Sequence, residues 1–272
     1  MLIREAILSD AAGVGALAVA TGQPSEDSGA DSRYYDLLLQ TGTVLVAESE
    51  DGVVGWGAVR TRFGASMLTD LFVHPAHHGR GVGARLLDAL WPSGAGASRR
   101  RFTFSSLHPH ALPLYVRSGL AVHWPLLYLV GPGASAPSTD LAVTVVAPEE
   151  AADVEMRLAG TGASPDVLLY RYWAGVRTSA ALVVSDGGRM VACAALRPGE
   201  VAHVSCAGDA DAVGVVAASV SAAGQEVRLC VPGPHPALRA LLGWGFEIED
   251  MDLAMSSGMP LPATGVYSPG LA

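Results

Sequence analysis

The segment Leu71 to Leu87, LFVHPAHHGRGVGARLL, carries the strongest chemical signal in the chain. An apolar run ends at His74-Pro75, glycines follow at positions 79, 81 and 83, and a helix-forming sequence begins at once. Glycines let backbone amides approach an anion closely, and a helix N-terminus adds about half a positive charge, so such a loop suits a phosphate or pyrophosphate. The same glycines also suit a tight strand-to-helix turn that holds nothing. Spacing alone leaves both readings open.

The surrounding residues narrow the choice. Val73-His74-Pro75, followed by His78-x-x-Gly81-x-Gly83, resembles the V-x-P and Q/R-x-x-G-x-G/A signatures of the GNAT acetyltransferase superfamily. Leu114-Tyr115-Val116-Arg117-Ser118-Gly119-Leu120 looks like that family's L-Y-x-x-x-G-F, and the order of strands and helices before it is the family's order. The resemblance implies acetyl-CoA as cosubstrate and no metal. It sets Leu71, Phe72 and Val73 along the pantetheine and thioester, and His78, Gly79, Arg80, Gly81, Val82, Gly83 and Ala84 around the pyrophosphate. His78 replaces the usual Gln or Arg, which alters one side-chain contact and leaves the amide cradle. His108, seven residues before Tyr115, stands where the family has asparagine.

Acyl transfer from a thioester to an amine needs a neutral amine, a stabilised carbonyl oxygen and a proton for the leaving thiolate. Tyr115 matches the family's general acid, and a phenol of pKa about 10 suits donation to a thiolate of about 8.5. For the base, Asp70 resembles the aspartate of the L-E-D-L-F-V strand in spermidine/spermine-type acetyltransferases. Thr69 stands where those enzymes carry glutamate, and position 67, where other members carry it, is Met67. On strand alternation Asp70 faces away from Thr69 and Leu71, so a purely structural role competes with a catalytic one. His74, His108, His110 and a water chain are the other possibilities. Arg99-Arg100-Arg101 could meet the 3′-phosphate of CoA or form a solvated charge run. Glu26, Asp27 and Asp31 could attract a cationic amine or belong to an ordinary acidic loop.

The elements that would position these groups form a mixed α/β series. Strands are expected near Leu2–Leu8, Thr43–Ser49, Val53–Arg60, Ser66–Val73, Arg101–Ser105 and Ala121–Val130, and helices from an N-cap at Ser9 to Ala20 and over Ser32–Gln40, Val82–Trp91 and Ala111–Ser118. Gly131 to Asp140, GPGASAPSTD, has linker composition. The series then recurs: LVAESEDGVVGWGAV (45–59) parallels LVVSDGGRMVACAAL (182–196), and LYVRSGL (114–120) parallels ALLGWGF (240–246). A tandem duplication follows, with two GNAT-like domains, each a mixed sheet flanked by helices: residues 1–130, a linker at 131–140, a second domain at 141–257 and an irregular tail at 258–272.

The second copy is degenerate. Ala207-Gly208-Asp209-Ala210-Asp211 replaces the glycine loop, so two carboxylates would face a pyrophosphate, and Leu241 falls opposite Tyr115. One acetyl-CoA per chain is expected, the second copy serving as scaffold, pseudo-dimer partner and wall of the acceptor site. Two other readings remain: a non-catalytic CoA-binding or ligand-sensing module, and a tandem enzyme similar to mycothiol synthases, whose chemistry lies in the second domain.

Composition bounds the class. The 272 residues are 50% hydrophobic and carry net charge −9, with ten arginines against eleven acids in residues 1–135 and seven against fifteen beyond; lysine and asparagine are absent. The acidic second half argues against nucleic acid as a partner. No apolar stretch approaches a membrane span, and Arg4, Glu5 and Asp10 interrupt any signal-peptide core, so no membrane role is expected and the cytoplasm is the expected compartment. The arginine-only, alanine-rich usage suggests a GC-rich bacterial genome. Cys193, Cys206 and Cys230 read as buried thiols. The expected acceptor is a small-molecule amine, and the expected assembly a monomeric pseudo-dimer or a homodimer.

Overall fold

The computed structural model describes residues 1–22, 32–50, 52–92, 100–160 and 164–271. The chain begins with β1 (Leu2–Glu5), followed by α1 (Ala11–Ala20), α2 (Ser32–Thr41) and β2 (Gly42–Ser49). The first helix starts from Asp10, not from the expected Ser9. The Asp10 carboxylate accepts the Ile7 N–H at 2.9 Å and both terminal guanidinium nitrogens of Arg4 at 2.7 and 2.8 Å. Arg4 Nε reaches Glu48 at 2.8 Å, so one guanidinium ties β1 to the helix start and to β2. A serine hydroxyl could not make that ion pair.

Next come β3 (Gly52–Arg62), β4 (Ala65–Val73), α3 (Val82–Leu90), β5 (Arg101–Ser105), α4 (Ala111–Arg117) and β6 (Ala121–Pro132). Strands β1 to β5 lie in sequence order, antiparallel until β4 meets β5 in parallel. Helix α3 packs closely on this sheet. A Cβ at Gly57 would come within 2.9 Å of Leu90 Cδ1, which is why the strand reads Gly-Trp-Gly there. Trp56, Tyr34, Leu38, Met67, Leu68, Leu86 and Leu87 fill the core between sheet and helices.

The remainder repeats the series as β7 (Ala142–Val146), α5 (Pro148–Ala159), α6 (Val167–Ala174), β8 (Ala180–Asp186), β9 (Arg189–Arg197), β10 (Glu200–Cys206), α7 (Ala212–Ala223), β11 (Glu226–Pro232), α8 (Leu238–Gly243) and β12 (Glu247–Ser256). Their sheet runs β12-β6-β11-β10-β9-β8-β7. The chain forms two compact units, Met1–Val122 with Met255–Met259, and His123–Ala254 with Pro260–Ala272. From His123 onward β6 therefore lies in the second unit, paired antiparallel with β11 from Leu126 to Pro132. In the first unit the late segment runs beside β5: Ser257 N donates to Arg101 O at 2.9 Å, and Arg101 N to Ser257 Oγ at 3.0 Å.

The expected linker is structured at its start. Gly131 and Pro132 complete β6, and Gly133 N donates to Gln225 O at 2.7 Å, with no room for a Cβ. Cys193 is buried, whereas Cys206 and Cys230 are half-buried; all three are thiols. Among the described residues no helix is long and apolar enough to cross a membrane.

Candidate functional site

The site lies where β4 and β5 part. As parallel neighbours they are in register at Ser66↔Arg101 and Met67↔Phe102, and Ser66 N donates to Arg100 O at 2.7 Å. Immediately beyond, β4 bulges. Leu68 faces Val59 and Asp70 faces Ala58, so Thr69 is the extra residue, its hydroxyl donating to Ala58 O at 3.2 Å. A bulge bends its strand and re-aims the residues beyond it. Thr103 covers the start of the resulting split, its hydroxyl bonded to Leu68 O at 2.9 Å.

Alternate residues of a strand direct their backbone groups to opposite sides. His74 N donates toward β3, to Val54 O at 2.9 Å, so Val73 and Leu71 present theirs to the β5 side, into the split. The Val73 carbonyl accepts from the His78 ring at 2.8 Å. His78 thus folds back on the strand end.

From His78 the chain turns through Gly79 (φ +73°) and Gly81 (φ +75°), left-handed conformations that glycine adopts without strain. Gly81 is the N-cap of α3, and Arg85 N donates to Gly81 O at 3.1 Å. The leading amides of a helix have no intrahelical acceptor, and here they belong to Val82, Gly83 and Ala84. A Cβ at Gly79 or Gly81 would meet nothing within 4 Å, so space beside the loop is open. A Cβ at Gly83 would lie 3.6 Å from both Leu114 Cδ2 and Val73 Cγ2. The strand end, the helix start and α4 therefore converge at this glycine.

Tyr115 follows Leu114 on α4 and is buried, 7% exposed. His108 and His110 precede that helix, and their rings lie 5.8 and 5.7 Å from the His78 ring and 5.4 Å from each other. This imidazole cluster stands at the mouth of the split. Among the described residues no group of three or more His, Cys, Asp or Glu side chains is placed to hold a metal ion. His74 turns inward on its own loop, accepting the Ala76 N–H at 3.2 Å.

Asp70 is buried, 6% exposed, and its carboxylate accepts the hydroxyl of Tyr34 on α2. Sequence reasoning passed over Tyr34, because a tyrosine on the buried face of an amphipathic helix carries no mark of its partner. Arg100 donates to Met259 O at 2.9 Å, and the Arg101 guanidinium lies 5.6 Å over the Trp91 ring. Both are engaged in holding the β5 end. Arg99, and Glu26, Asp27 and Asp31, lie outside the described residues.

A glycine turn opening a helix beside a bulged, split pair of parallel strands is a specific combination, and comparison with known proteins agrees with it. Residues 40–119 match the family model of the acetyltransferase (GNAT) domain. Residues 40–119 thus form a GNAT domain. The matched GNAT residues run from the end of α2 through β2, β3, β4, α3 and β5 to Gly119. A mycothiol acetyltransferase of Amycolatopsis mediterranei (strain U-32) is 39% identical over 114 residues, 40% of this chain and 36% of that protein, so the match spans little more than a third of the relative.

Among solved structures, one from Pyrococcus horikoshii, provisionally described as an acetyltransferase, superposes with a TM-score of 0.73 at 12% identity, covering 99% of this chain and 92% of the other. A tandem GNAT protein from the clavulanic acid biosynthesis pathway superposes at 0.62 and 15% identity over 95% and 99% of the two chains. At such identities the likeness is one of fold, and the fold is that of two GNAT domains in tandem.

Proposed function

We propose that the first unit transfers an acetyl group from acetyl-CoA to the amine of a small molecule, as an N-acetyltransferase of the cytoplasm. The observation that carries this reading is the β4–β5 split with the amides of Leu71 and Val82–Ala84 presented at its two ends. The fit to the cosubstrate is chemical. Amides at a helix start suit a pyrophosphate, and strand backbone groups suit an extended chain of two amides such as pantetheine. Leu71, Phe72 and Val73 would then lie along that arm, and His78 to Ala84 around the phosphates. The cosubstrate supplies an activated acyl group as its thioester.

The chain's own residues divide the remaining work. Backbone N–H groups of the bulged strand near Val73 meet the carbonyl oxygen as it gains charge. The amine nitrogen forms its bond to the acyl carbon as the carbon–sulfur bond breaks. Tyr115 gives its proton to the departing sulfur, and the proton lost from the nitrogen returns the phenol to its neutral form through solvent. Asp70 is one candidate to take that proton, with the Tyr34 hydroxyl bonded to its carboxylate. The exposed imidazoles of His108 and His110 are the alternative acceptors.

The second unit supports a reading of one cosubstrate per chain. Asp211 itself accepts the Val213 N–H at 3.1 Å at the start of α7, and Asp209 pairs with Arg189 at 3.0 Å. No nucleic acid or membrane enters the reading, and the acidic second half argues against a polyanion. The assembly is a monomer or a homodimer.

A non-catalytic CoA sensor is the second reading, favoured by Met67, fully buried where other members carry a glutamate, and by Thr69, bonded to Ala58 O. Transfer from acetyl-CoA to a panel of small amines tests the two. Turnover on at least one small amine is expected. CoA binding without transfer to any amine would favour the sensor, and efficient transfer to intact proteins alone would overturn the small-molecule acceptor.

A further inference from the structure

In the second unit β10 and β11 also meet in parallel over two residue pairs, Glu200↔Arg228 and Val201↔Leu229, with Arg228 N on Gly199 O at 2.8 Å. Strand β10 then bulges at Ala202, and His203 resumes the pairing opposite Ala195 of β9. The split beyond the bulge has an occupant. Val266, far along the C-terminal segment, forms an antiparallel bridge with Val204: Val204 N donates to Val266 O at 3.0 Å, and Val266 N to Val204 O at 3.1 Å. The adjacent Tyr267 donates its N–H to Cys230 O of β11 at 3.0 Å. One short extended stretch thus bonds both lips of the split.

Counted from the bulge, Val204 is the counterpart of Leu71, whose backbone groups face the split of the first unit. The segment is also anchored by its side chains. Val266 and Leu271 are fully buried, and the Tyr267 hydroxyl donates to Pro262 O at 2.6 Å. The Tyr267 ring stacks on Trp124 at 6.4 Å and lies 6.3 Å from His203. Gly265 admits no side chain, since a Cβ would come within 2.7 Å of the Tyr267 ring and 3.1 Å of Val204 O. At the other end of the split the Asp211 carboxylate already caps α7. Both places that would receive a cosubstrate in this copy, the strand edge and the helix start, are filled by groups of the chain itself.

We propose that the β10–β11 split is a strand-accepting slot whose ligand is the chain's own segment 265–268, so that the second unit is self-occupied. The assignment of the slot to the place of a pantetheine arm rests on the proposed function of the first split; the seating of the segment does not. The displaced state would present Val204 and Cys230 backbone groups to any extended chain able to bond both edges.

The test uses the full-length protein with Val266→Pro, which removes the N–H that Val204 O accepts. Amide exchange at Val204 is expected to accelerate about tenfold or more, as for a locally opened strand. A synthetic peptide of residues 263–270 is expected to restore slow exchange in the variant and to leave the wild type unchanged. Unchanged exchange at Val204 in the variant, or no response to the peptide, would overturn the proposal. If Val266→Pro does not fold, Val204→Cys/Val266→Cys replaces it: a disulfide between the two positions on mild oxidation, read by mass spectrometry, is expected, and its failure to form overturns the seating. CoA titration of the wild type separates the two layers. One equivalent per chain is expected, none would count against the reading of the first split alone, and a second equivalent would show that the slot is not closed.

Discussion

Asp70 and His203 occupy the same point in the two copies, one residue past a bulge and opposite an alanine, Ala58 in one and Ala195 in the other. Both are buried, and both bond to a helix that packs on their sheet, Asp70 to Tyr34 of α2 and His203 to Glu155 of α5. The duplication has kept a polar pair under the bulge while exchanging its chemistry. In the second copy the imidazole lies between Trp173, stacked at 5.1 Å, and Tyr170 at 6.4 Å, an enclosed aromatic setting that suits packing.

Replacing Asp70 by asparagine separates its two roles in the first copy. Asparagine still accepts the Tyr34 hydroxyl but takes no proton. If Asp70 receives the amine proton, kcat falls by about 10²-fold or more with CoA affinity retained. Steady-state kinetics beside a CoA titration reads the split, and unchanged kcat moves the base to the imidazoles.

Tyr115→Phe is expected to lower turnover by about 10²- to 10⁴-fold, the usual contribution of a general acid, and to leave CoA affinity nearly intact. The lost hydroxyl belongs to the chemical step, whereas the amides of β4 and α3 remain. Wild-type turnover under conditions where chemistry limits the rate would make Tyr115 a packing residue.

Gly81 offers a test of the cradle with two distinguishable outcomes. Its Cβ position is open, so substitution acts through the backbone angle of +75° and through any charge brought in, not through a clash. Gly81→Ala should cost about 1 kcal/mol of stability and weaken CoA modestly. Gly81→Asp should abolish CoA binding in calorimetry, because it sets a carboxylate where the phosphates would lie.

Asp252 of β12 is half-buried and accepts the Tyr128 hydroxyl at 2.6 Å. Burial, with Asp250 nearby, holds its carboxyl above the usual carboxylate range despite that bond. The folded state then binds the proton more tightly than the unfolded chain, so this group favours folding at low pH and loses that contribution as pH rises through its folded value. Asp252→Asn should therefore raise the melting temperature at neutral pH by a few degrees, with the gain shrinking on acidification into the carboxylate range.

Asp10 runs the opposite way. The hydrogen bonds from Arg4 hold its carboxyl below the usual range against the opposing effect of burial. Its contribution is present above the unfolded value and is lost as pH falls through the folded one. Asp10→Asn should cost about 1–2 kcal/mol at neutral pH in a denaturation experiment, a difference that closes in strong acid.

Most elements of this fold are legible in the sequence, because glycine turns and apolar periodicity mark them within a residue or two, as at β5 and α3. The Tyr115/Leu241 correspondence also stands in the structure: Leu120 N bonds to Tyr115 O and Phe246 N to Leu241 O, each at 3.1 Å, beyond glycines at φ +87° and +89°. Pairing choices are different. Ala121 to Val130 reads correctly as a strand, but nothing in its residues says that β11 is its neighbour, since strand propensity is set locally and partnership by the whole molecule. The bulge at Thr69 leaves no compositional trace, so the sequence does not show where β4 shifts register against β3 and parts from β5. Val266 and Tyr267 sit in a proline- and glycine-rich tail whose irregularity is plain and whose hydrogen-bond partners are not.

The late arrival of Met255–Met259 in the first unit bears on how the molecule is made. A ribosome releases residues 1–122 long before Ser257, so the nascent first unit must wait with the Arg101 backbone groups of β5 bare until residues 255–259 have emerged. An uncovered strand edge is a template for pairing with other chains. During synthesis, then, the arginines at this edge act as its guard: Arg100 and Arg101 keep it charged while it is open, and become its fastenings once residues 255–259 arrive.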